Sequence, residues 1–318
     1  MNAIFNLLNE YVLAPIFRGV MFISGNNFAI AIFIFTLVIN LLLIPLTIKS
    51  QKSSVQQTKI KPKLDELKKK YGDDKQKYSA AMQELYQKEN VSMAGGCLPM
   101  ILRLVILMSI YYLVLSPVSY LTTVDAKQID VATKAVVVEA DIKSSRSKEL
   151  ALITNITHDK LSLEGKKEAE IKAINEIKTE IEKIDFDFFG IDLTETPKFQ
   201  FNLSAVHVNW IIPFLSFAAA MISSLISMRM QKSINPDAPN MKGMMLTMPL
   251  ISLIIAFSAP CGLGYYWACS SIISGGLQAG VQYFYGPYRM IAKERAKSFV
   301  KTSQLEQKTI DATNSSAE

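Results

Sequence analysis

Five apolar runs punctuate this sequence, at 28–48, 97–115, 206–228, 243–259 and 263–285. Crossing a hydrocarbon layer of about 30 Å takes about 20 helical residues. The fourth run is short, but its flanks are apolar enough to reach the interface. In lipid a backbone must satisfy its own polar groups, so runs of this kind fold as helices. Half of the 318 residues are apolar and 19% are charged, the balance of a membrane protein rather than a soluble enzyme. The expected fold class is therefore an all-α membrane protein with five transmembrane helices.

The distribution of charge orients them. The segment 49–96 carries 11 lysines against 6 acids, the loop 229–242 three basic residues, and the tail after Tyr285 six. On the other side, residues 1–27 hold one basic residue, Arg18, and 259–262 hold no charge. The positive-inside rule then predicts an N-out, C-in topology. The loop 118–205 has 12 basic residues against 16 acids, and it is too long to count in that rule.

The predicted organisation follows these boundaries. Residues 1–27 form an extracellular interfacial helix, because Ile4, Leu7, Leu8, Tyr11 and Val12 recur at helical spacing with Asn2, Asn6, Asn9 and Glu10 between them. Gly25-Asn26-Asn27 breaks it before span 1 at 28–48. The segment 49–96 reads as a cytoplasmic helical hairpin with stripes Ile60, Leu64, Leu67, Tyr71 and Tyr78, Met82, Leu85. Tyr71-Gly72-Asp73-Asp74 supplies its turn and an aspartate cap. Lys63, Lys68, Tyr71, Asp73 and Tyr78 are its candidate contact residues; the alternative is a solvated linker. Span 2 follows at 97–117, then the extracellular loop 118–205, span 3 at 206–228, the loop 229–242, spans 4 and 5 at 243–259 and 263–285, and a basic tail at 286–318. In the extracellular loop Ile171, Ile174, Ile177, Ile181 and Ile184 form a heptad-like stripe, which predicts one long amphipathic helix. Asn155-Ile156-Thr157 matches a glycosylation sequon, a weak signal by itself.

Arg103 is the one Lys or Arg inside any of the five runs. A guanidinium stays protonated in a protein, and insertion scales put its cost at a helix centre at ~2.5–3.5 kcal/mol. That cost is tolerated where the side chain faces a bundle interior or a wet cavity; the alternative is an arginine snorkelling to the headgroups. Thr36 and Asn40 share one face of the first run. Asn40 lies eight residues from the inner end of its run and Arg103 six from that of the next, about 12 and 9 Å at 1.5 Å per residue. Adjacent antiparallel helices would place them at similar depth, as in a hydrated pocket open to the cytoplasm. The remaining polar residues of the spans, Ser109 and Ser270 among them, are of a type that also serves helix packing.

Other chemistry is missing from the sequence. His-Glu-x-x-His, paired intramembrane aspartates, a Walker-type loop and Gly-x-Gly-x-x-Gly are all absent, so peptidase and nucleotide functions are not expected. Cys97, Cys261 and Cys269 fit no metal spacing, and His158 and His207 lack ligand partners. No metal and no cofactor is expected.

Several stretches together carry a resemblance. They are Leu42-Leu43-Ile44-Pro45-Leu46-Thr47, the hairpin from Lys63 to Glu89, Gly95-Gly96-Cys97-Leu98-Pro99, Asn240-Met241-Lys242-Gly243-Met244-Met245, and Gly262-Leu263-Gly264-Tyr265-Tyr266-Trp267. In this order the chain resembles the YidC/Oxa/Alb family of membrane protein insertases, of the five-span bacterial type. The segment of roughly 122–183 stands outside the pattern. One departure concerns charge. The family typically has arginine where this chain has Asn40, and glutamine where it has Arg103, so the charge has crossed to the neighbouring helix.

The resemblance implies a non-enzymatic insertase and chaperone of a bacterial plasma membrane, working without nucleotide through a hydrophilic, cytoplasm-open groove. Arg103, Asn40, Thr36, Trp267, Ser109 and Ser270 would line that groove, Trp267 being alternatively an interfacial belt residue. The implied partners are nascent membrane proteins, the lipid bilayer, a ribosome at the basic tail and loops, and the Sec translocon and signal-recognition machinery. The rival is an anion channel or transporter using Arg103 as its anion site. It would call for inverted repeats or broken helices at matched positions, which the two halves of the sequence do not show.

Overall fold

The computed structural model describes residues 7–72, 74–91, 98–137, 147–157, 163–197, 207–234 and 242–286, with short pieces between 289 and 307. Asp73, Gly95, Gly96, Cys97, Asn240, Met241 and the side chain of Arg103 lie outside the described residues. The described chain is all-α apart from one small hairpin of strands. It divides into two compact units, one comprising Met1–Leu43, Met100–Arg229 and Pro239–Gly276, the other Ile44–Pro99, Met230–Ala238 and Leu277–Glu318.

In the first unit a π-helical turn, Asn9–Leu13, runs into α1, Ala14–Ile23. It leaves Leu7, Tyr11 and Val12 exposed and buries Asn9, Leu13, Phe17, Val20 and Met21. The sequence pattern treated Asn9 as a polar spacer, and the structure corrects this, since Asn9 is 0% exposed. Gly25 and Asn26 turn the chain in the left-handed region, at φ 65° and 63°. Asn27 then caps α2, Phe28–Leu42, by accepting from the Ile30 N–H at 2.9 Å. Phe17 of α1 packs on Phe28 and Phe35 of α2, with ring centroids 5.8 and 5.0 Å apart. Tilted and edge-on ring pairs of this kind are worth roughly 0.5–1.5 kcal/mol each.

Four apolar helices complete this part of the fold: α5, Leu98–Leu115, α10, Ile211–Ile234, α11, Lys242–Ala256, and α12, Cys261–Tyr285. Large apolar side chains stay exposed on them, including Leu104, Phe214, Ile222, Leu225, Ile251, Ile254 and Ile272, as on a surface solvated by lipid. Among the described residues Val208–Arg229 is long and apolar enough by itself to cross a membrane, with mean hydropathy 2.0. Phe28–Leu42 with Ile44–Ser53 passes the same test as a broken pair, and Leu104–Leu115 is a shorter apolar helix. α10 and α12 approach closely at two points. A Cβ on Gly264 would stand 2.8 Å from Ile212 Cγ2, and one on Gly275 would stand 2.8 Å from Ser223 Oγ. The two contacts are eleven residues apart on both helices, about three turns, so the pair is parallel.

The segment after α5 differs from the single helix expected. It folds as α6, Pro117–Leu121, α7, Ala126–Val136, α8, Lys148–Thr157, and α9, Glu168–Ile181, followed by β1, Asp187–Phe188, and β2, Ile191–Asp192, paired antiparallel. Ile174, Ile177 and Ile181 of α9 are buried with Ile129, Ala132, Leu150 and Ile153 of α7 and α8, so the isoleucine stripe finds its partner within the chain. Asp125 starts α7 by accepting from the Lys127 N–H at 2.7 Å. Glu149 of α8 accepts from the N–H and hydroxyl of Ser119 at 2.9 and 2.6 Å. Asn155 of the sequon is a buried helical residue rather than an accessible loop acceptor.

One path of backbone hydrogen bonds gathers helix starts into a junction. The Phe28 N–H donates to Asp185 O at 2.8 Å, and the Asp185 N–H to Asn26 O at 3.0 Å. Further along, Cys261 N–H donates to Glu195 O and Gly262 N–H to Leu193 O, both at 2.7 Å. These bonds satisfy amides that a helix start leaves without partners. A Cβ on Gly262 would lie 3.1 Å from Leu193 O, 3.2 Å from Phe28 Cε1 and 3.5 Å from Val114 Cγ1. Glycine at this position lets α2, α5 and α12 meet.

The second unit begins with α3, Ile44–Tyr71, and continues with α4, Lys75–Lys88. The first expected span, 28–48, is in fact interrupted at Leu43, and the helix restarts before Pro45. Proline is tolerated in a first helical turn because its missing N–H has no partner to lose. Asp74 caps α4, accepting from the Lys77 N–H at 3.0 Å. Leu64, Leu67, Tyr71, Tyr78, Met82 and Leu85 are half-buried, while Ile60 and Val91 are buried. Lys63 pairs with Glu89 between the helices.

Candidate functional site

Gly262 gives α2, α5 and α12 a common reference, because Phe28 of α2 and Val114 of α5 both stand against it. Helical rise then orders the candidate polar residues by level. Ser109 is five residues from Val114, and Trp267 five from Gly262; both lie about 7.5 Å from the junction at 1.5 Å per residue. Thr36 is eight residues beyond Phe28, and Ser270 eight beyond Gly262, which puts both at about 12 Å. Asn40 is twelve residues from Phe28, and the Arg103 backbone eleven from Val114, at about 18 and 16 Å. Counted along their own helices, Asn40 and the Arg103 backbone thus stand at similar distances from the junction.

Local bonding settles part of the chemistry. The Thr36 hydroxyl donates to Ile32 O at 2.6 Å, and Asn40 Nδ2 donates to Thr36 O at 2.8 Å. Both bonds run back along one face of α2, as short polar side chains in apolar helices commonly do. Thr36 is buried and its hydroxyl proton is engaged. Asn40 is half-buried, with its nitrogen committed to the helix. Its carbonyl oxygen is the amide's acceptor end, the end that suits a cationic donor.

Ser109 stands nearer the junction. It is 0% exposed, and its carbonyl accepts from Asn9 Nδ2 at 3.0 Å. Sequence reasoning missed Asn9 as a partner, since apolar periodicity gives no weight to an asparagine. Trp267 is half-buried against the core cluster, and Ser270 one turn on is half-buried as well. On the hairpin Lys63 and Lys68 are exposed and Tyr71 and Tyr78 half-buried. Lys70 Nζ sits 5.1 Å from the centre of the Tyr71 ring. Among the described residues, no group of three or more His, Cys, Asp or Glu could hold a metal ion.

Comparison with known proteins adds an independent line. A family model described as 60Kd inner membrane protein matches residues 20–286. The chain is 40% identical over 120 residues to a protein named membrane protein insertase YidC from Shewanella pealeana, covering 36% of this chain and 22% of that one. It is 37% identical over 110 residues to a protein of the same name from Cellvibrio japonicus, covering 34% and 20%. A third, from Methylococcus capsulatus, is 43% identical over 93 residues, covering 29% and 17%. The matched stretches thus span about a fifth of the length of these curated relatives.

Proposed function

This chain belongs to the 60Kd inner membrane protein family of bacterial inner-membrane proteins, and from that premise we propose that it is a membrane protein insertase and chaperone. Five spans, N-out and C-in, enclose a hydrophilic groove open to the cytoplasm. Arg103 supplies its positive charge and Asn40 the amide opposite. What supports this reading is the similar count of residues from the Gly262 junction, twelve to Asn40 and eleven to Arg103, together with the hydrogen bond from Asn40 Nδ2 to Thr36 O.

The physics of the task explains the arrangement. Moving a polar N-terminal tail through hydrocarbon strands polar groups at a cost of several kcal/mol each. A wet groove shortens the dry path. A cation partway across attracts the carboxylates of an acidic tail, at about 4 kcal/mol for a 4 Å approach at intermediate dielectric, far more than in water. The substrate's apolar segment then leaves for lipid under its own burial energy, so no nucleotide is consumed. The basic hairpin, loop and tail face the cytoplasm, where a ribosome, the Sec translocon and signal-recognition machinery would deliver substrate.

The test is reconstitution of the full chain in liposomes with a single-span substrate bearing an acidic N-terminal tail, scored by protease protection of that tail. Arg103→Ala should lower insertion about tenfold, equivalent to about 1.4 kcal/mol, and Arg103→Lys should keep part of it. Unchanged insertion by Arg103→Ala would remove the charge from the mechanism.

A further inference from the structure

The β1–β2 loop carries a residue in an unfavourable place. Phe188 pairs with Ile191, leaving Phe189 and Gly190 as a two-residue loop with φ of 52° and 80°. Such a loop favours Asn, Asp or Gly at its first position, and an aromatic residue in the left-handed region is a true outlier. Phe189 is moreover 87% exposed, its one ring contact among the described residues being the T-shaped pair with Phe188, 4.9 Å between centres. Strain retained at an exposed position points to a use for the side chain.

The height of that ring is set by the junction. Asp185, four residues before Phe189, is bonded through its backbone to Asn26 and Phe28 at the start of α2. Leu193 and Glu195, just past β2, accept from the first amides of α12. Phe188 packs on Tyr265 of α12 at 4.6 Å between ring centres. Asp187 Oδ1 accepts from the Gly190 N–H at 2.9 Å and holds the loop's shape. The hairpin thus stands where these apolar helices begin. Phe22 and Ile23, at the end of α1, are 85% and 74% exposed, and they too lie within four residues of the Asn26–Asp185 hydrogen bond.

We propose that Phe189 seats the segment 117–197 on the membrane, its ring inserted among the lipid headgroups and upper acyl chains beside Phe22 and Ile23. The inference rests on the reading of α2, α10 and α12 as membrane spans. Aromatic and aliphatic side chains at that height gain by entering the interfacial zone. A lipid surface is favoured over a protein partner because backbone hydrogen bonds to two helix starts fix the ring at the boundary.

Depth-dependent quenching tests this on the full chain in proteoliposomes, using lipids brominated near the headgroup or near the chain end. The indole emission added by Phe189→Trp over the wild-type baseline should be quenched several-fold more by the shallow bromine. Ile222→Trp, on an exposed face midway along α10, should show the reverse order. A Phe189→Trp signal quenched by neither lipid beside a quenched Ile222→Trp signal would leave the ring in water, available to another protein, and overturn the lipid seat alone. Loss of quenching at both sites would overturn the spanning reading and the seat with it. Phe189→Asn supplies a second readout, because asparagine suits the loop better than phenylalanine does. With Phe189 seated in lipid, Phe189→Asn should speed amide exchange across 187–192 several-fold in bilayers. Slower exchange would show a plain turn residue and refute the proposal.

Discussion

Asn9 and Ser109 meet away from water, the Asn9 Nδ2 donating to the Ser109 carbonyl at 3.0 Å with both residues 0% exposed. The bond ties the N-terminal π-turn to the C-terminal half of α5. It also leaves Asn9 Oδ1 and Ser109 Oγ buried without a hydrogen-bond partner.

Two substitutions at Asn9 separate bond loss from buried charge. Asn9→Ala removes one net hydrogen bond, worth about 1 kcal/mol. Asn9→Asp sets a carboxylate oxygen against the Ser109 carbonyl and buries an unpaired charge, a penalty of several kcal/mol. Thermal unfolding in detergent should therefore rank wild type above Asn9→Ala, and Asn9→Asp well below both. Equal midpoints for the two variants would mean that water reaches the position.

The groove proposal makes a sharper demand through a charge exchange. If Asn40 and Arg103 share one level, as the groove proposal requires, the double variant Asn40→Arg, Arg103→Gln returns the cation to the first helix at nearly unchanged depth. Insertion of an acidic-tailed substrate should recover to within a few-fold of wild type, against the roughly tenfold loss, about 1.4 kcal/mol, expected for Arg103→Ala. Normal expression of the double variant without recovered insertion would show that the helix bearing the guanidinium matters, not its charge alone.

Much of this architecture was legible in the sequence because it rests on periodicity. The buried stripe Ile174, Ile177, Ile181 repeats at helical spacing, and the break at Gly25 and Asn26 follows from residues that accept positive φ. Other features left little local trace. The interruption at Leu43 is marked only by Pro45, because hydrophobicity runs on to Ile48 and hides the break from a hydropathy reading. α7 and α8 are short helices whose apolar faces make sense only against α9. The junction of Asp185, Leu193 and Glu195 with helix starts is made by backbone groups, which are alike in every residue. Asn9 escaped notice for a related reason: a π-turn moves the buried face off the 3.6-residue repeat.

Gly262 should tolerate no side chain without movement. Its added Cβ would press on the Leu193 carbonyl oxygen and the Phe28 ring, and the carbonyl cannot retreat without stretching its 2.7 Å bond from the Gly262 N–H. Overpacking of this kind costs about 1–3 kcal/mol, more than the gain of up to about 1 kcal/mol from replacing glycine in a helix. Gly262→Ala should lower the unfolding midpoint and, by parting α2 from α12, reduce insertion. Gly276→Ala, with open space around its added Cβ, should do neither.

Glu149 predicts a pH dependence confined to the segment between α5 and α10. Burial pushes its carboxyl above the usual glutamate value of 4.5, opposed by hydrogen bonds from Ser119, Val118 and Ser116. A raised acid pKa means that the folded state binds a proton more tightly than the unfolded one, so stability falls as pH rises through the folded pKa. The contribution is full below pH 4.5 and declines above it. Glu149→Gln cannot ionise and lacks this slope. The difference in unfolding midpoint, wild type minus Glu149→Gln, should therefore shrink or turn negative as pH rises from 4 toward 8, about the span over which such buried carboxyls titrate. A difference that grows with pH would mean that the Ser119 hydrogen bonds outweigh desolvation, and that Glu149 is held as a carboxylate capping α6.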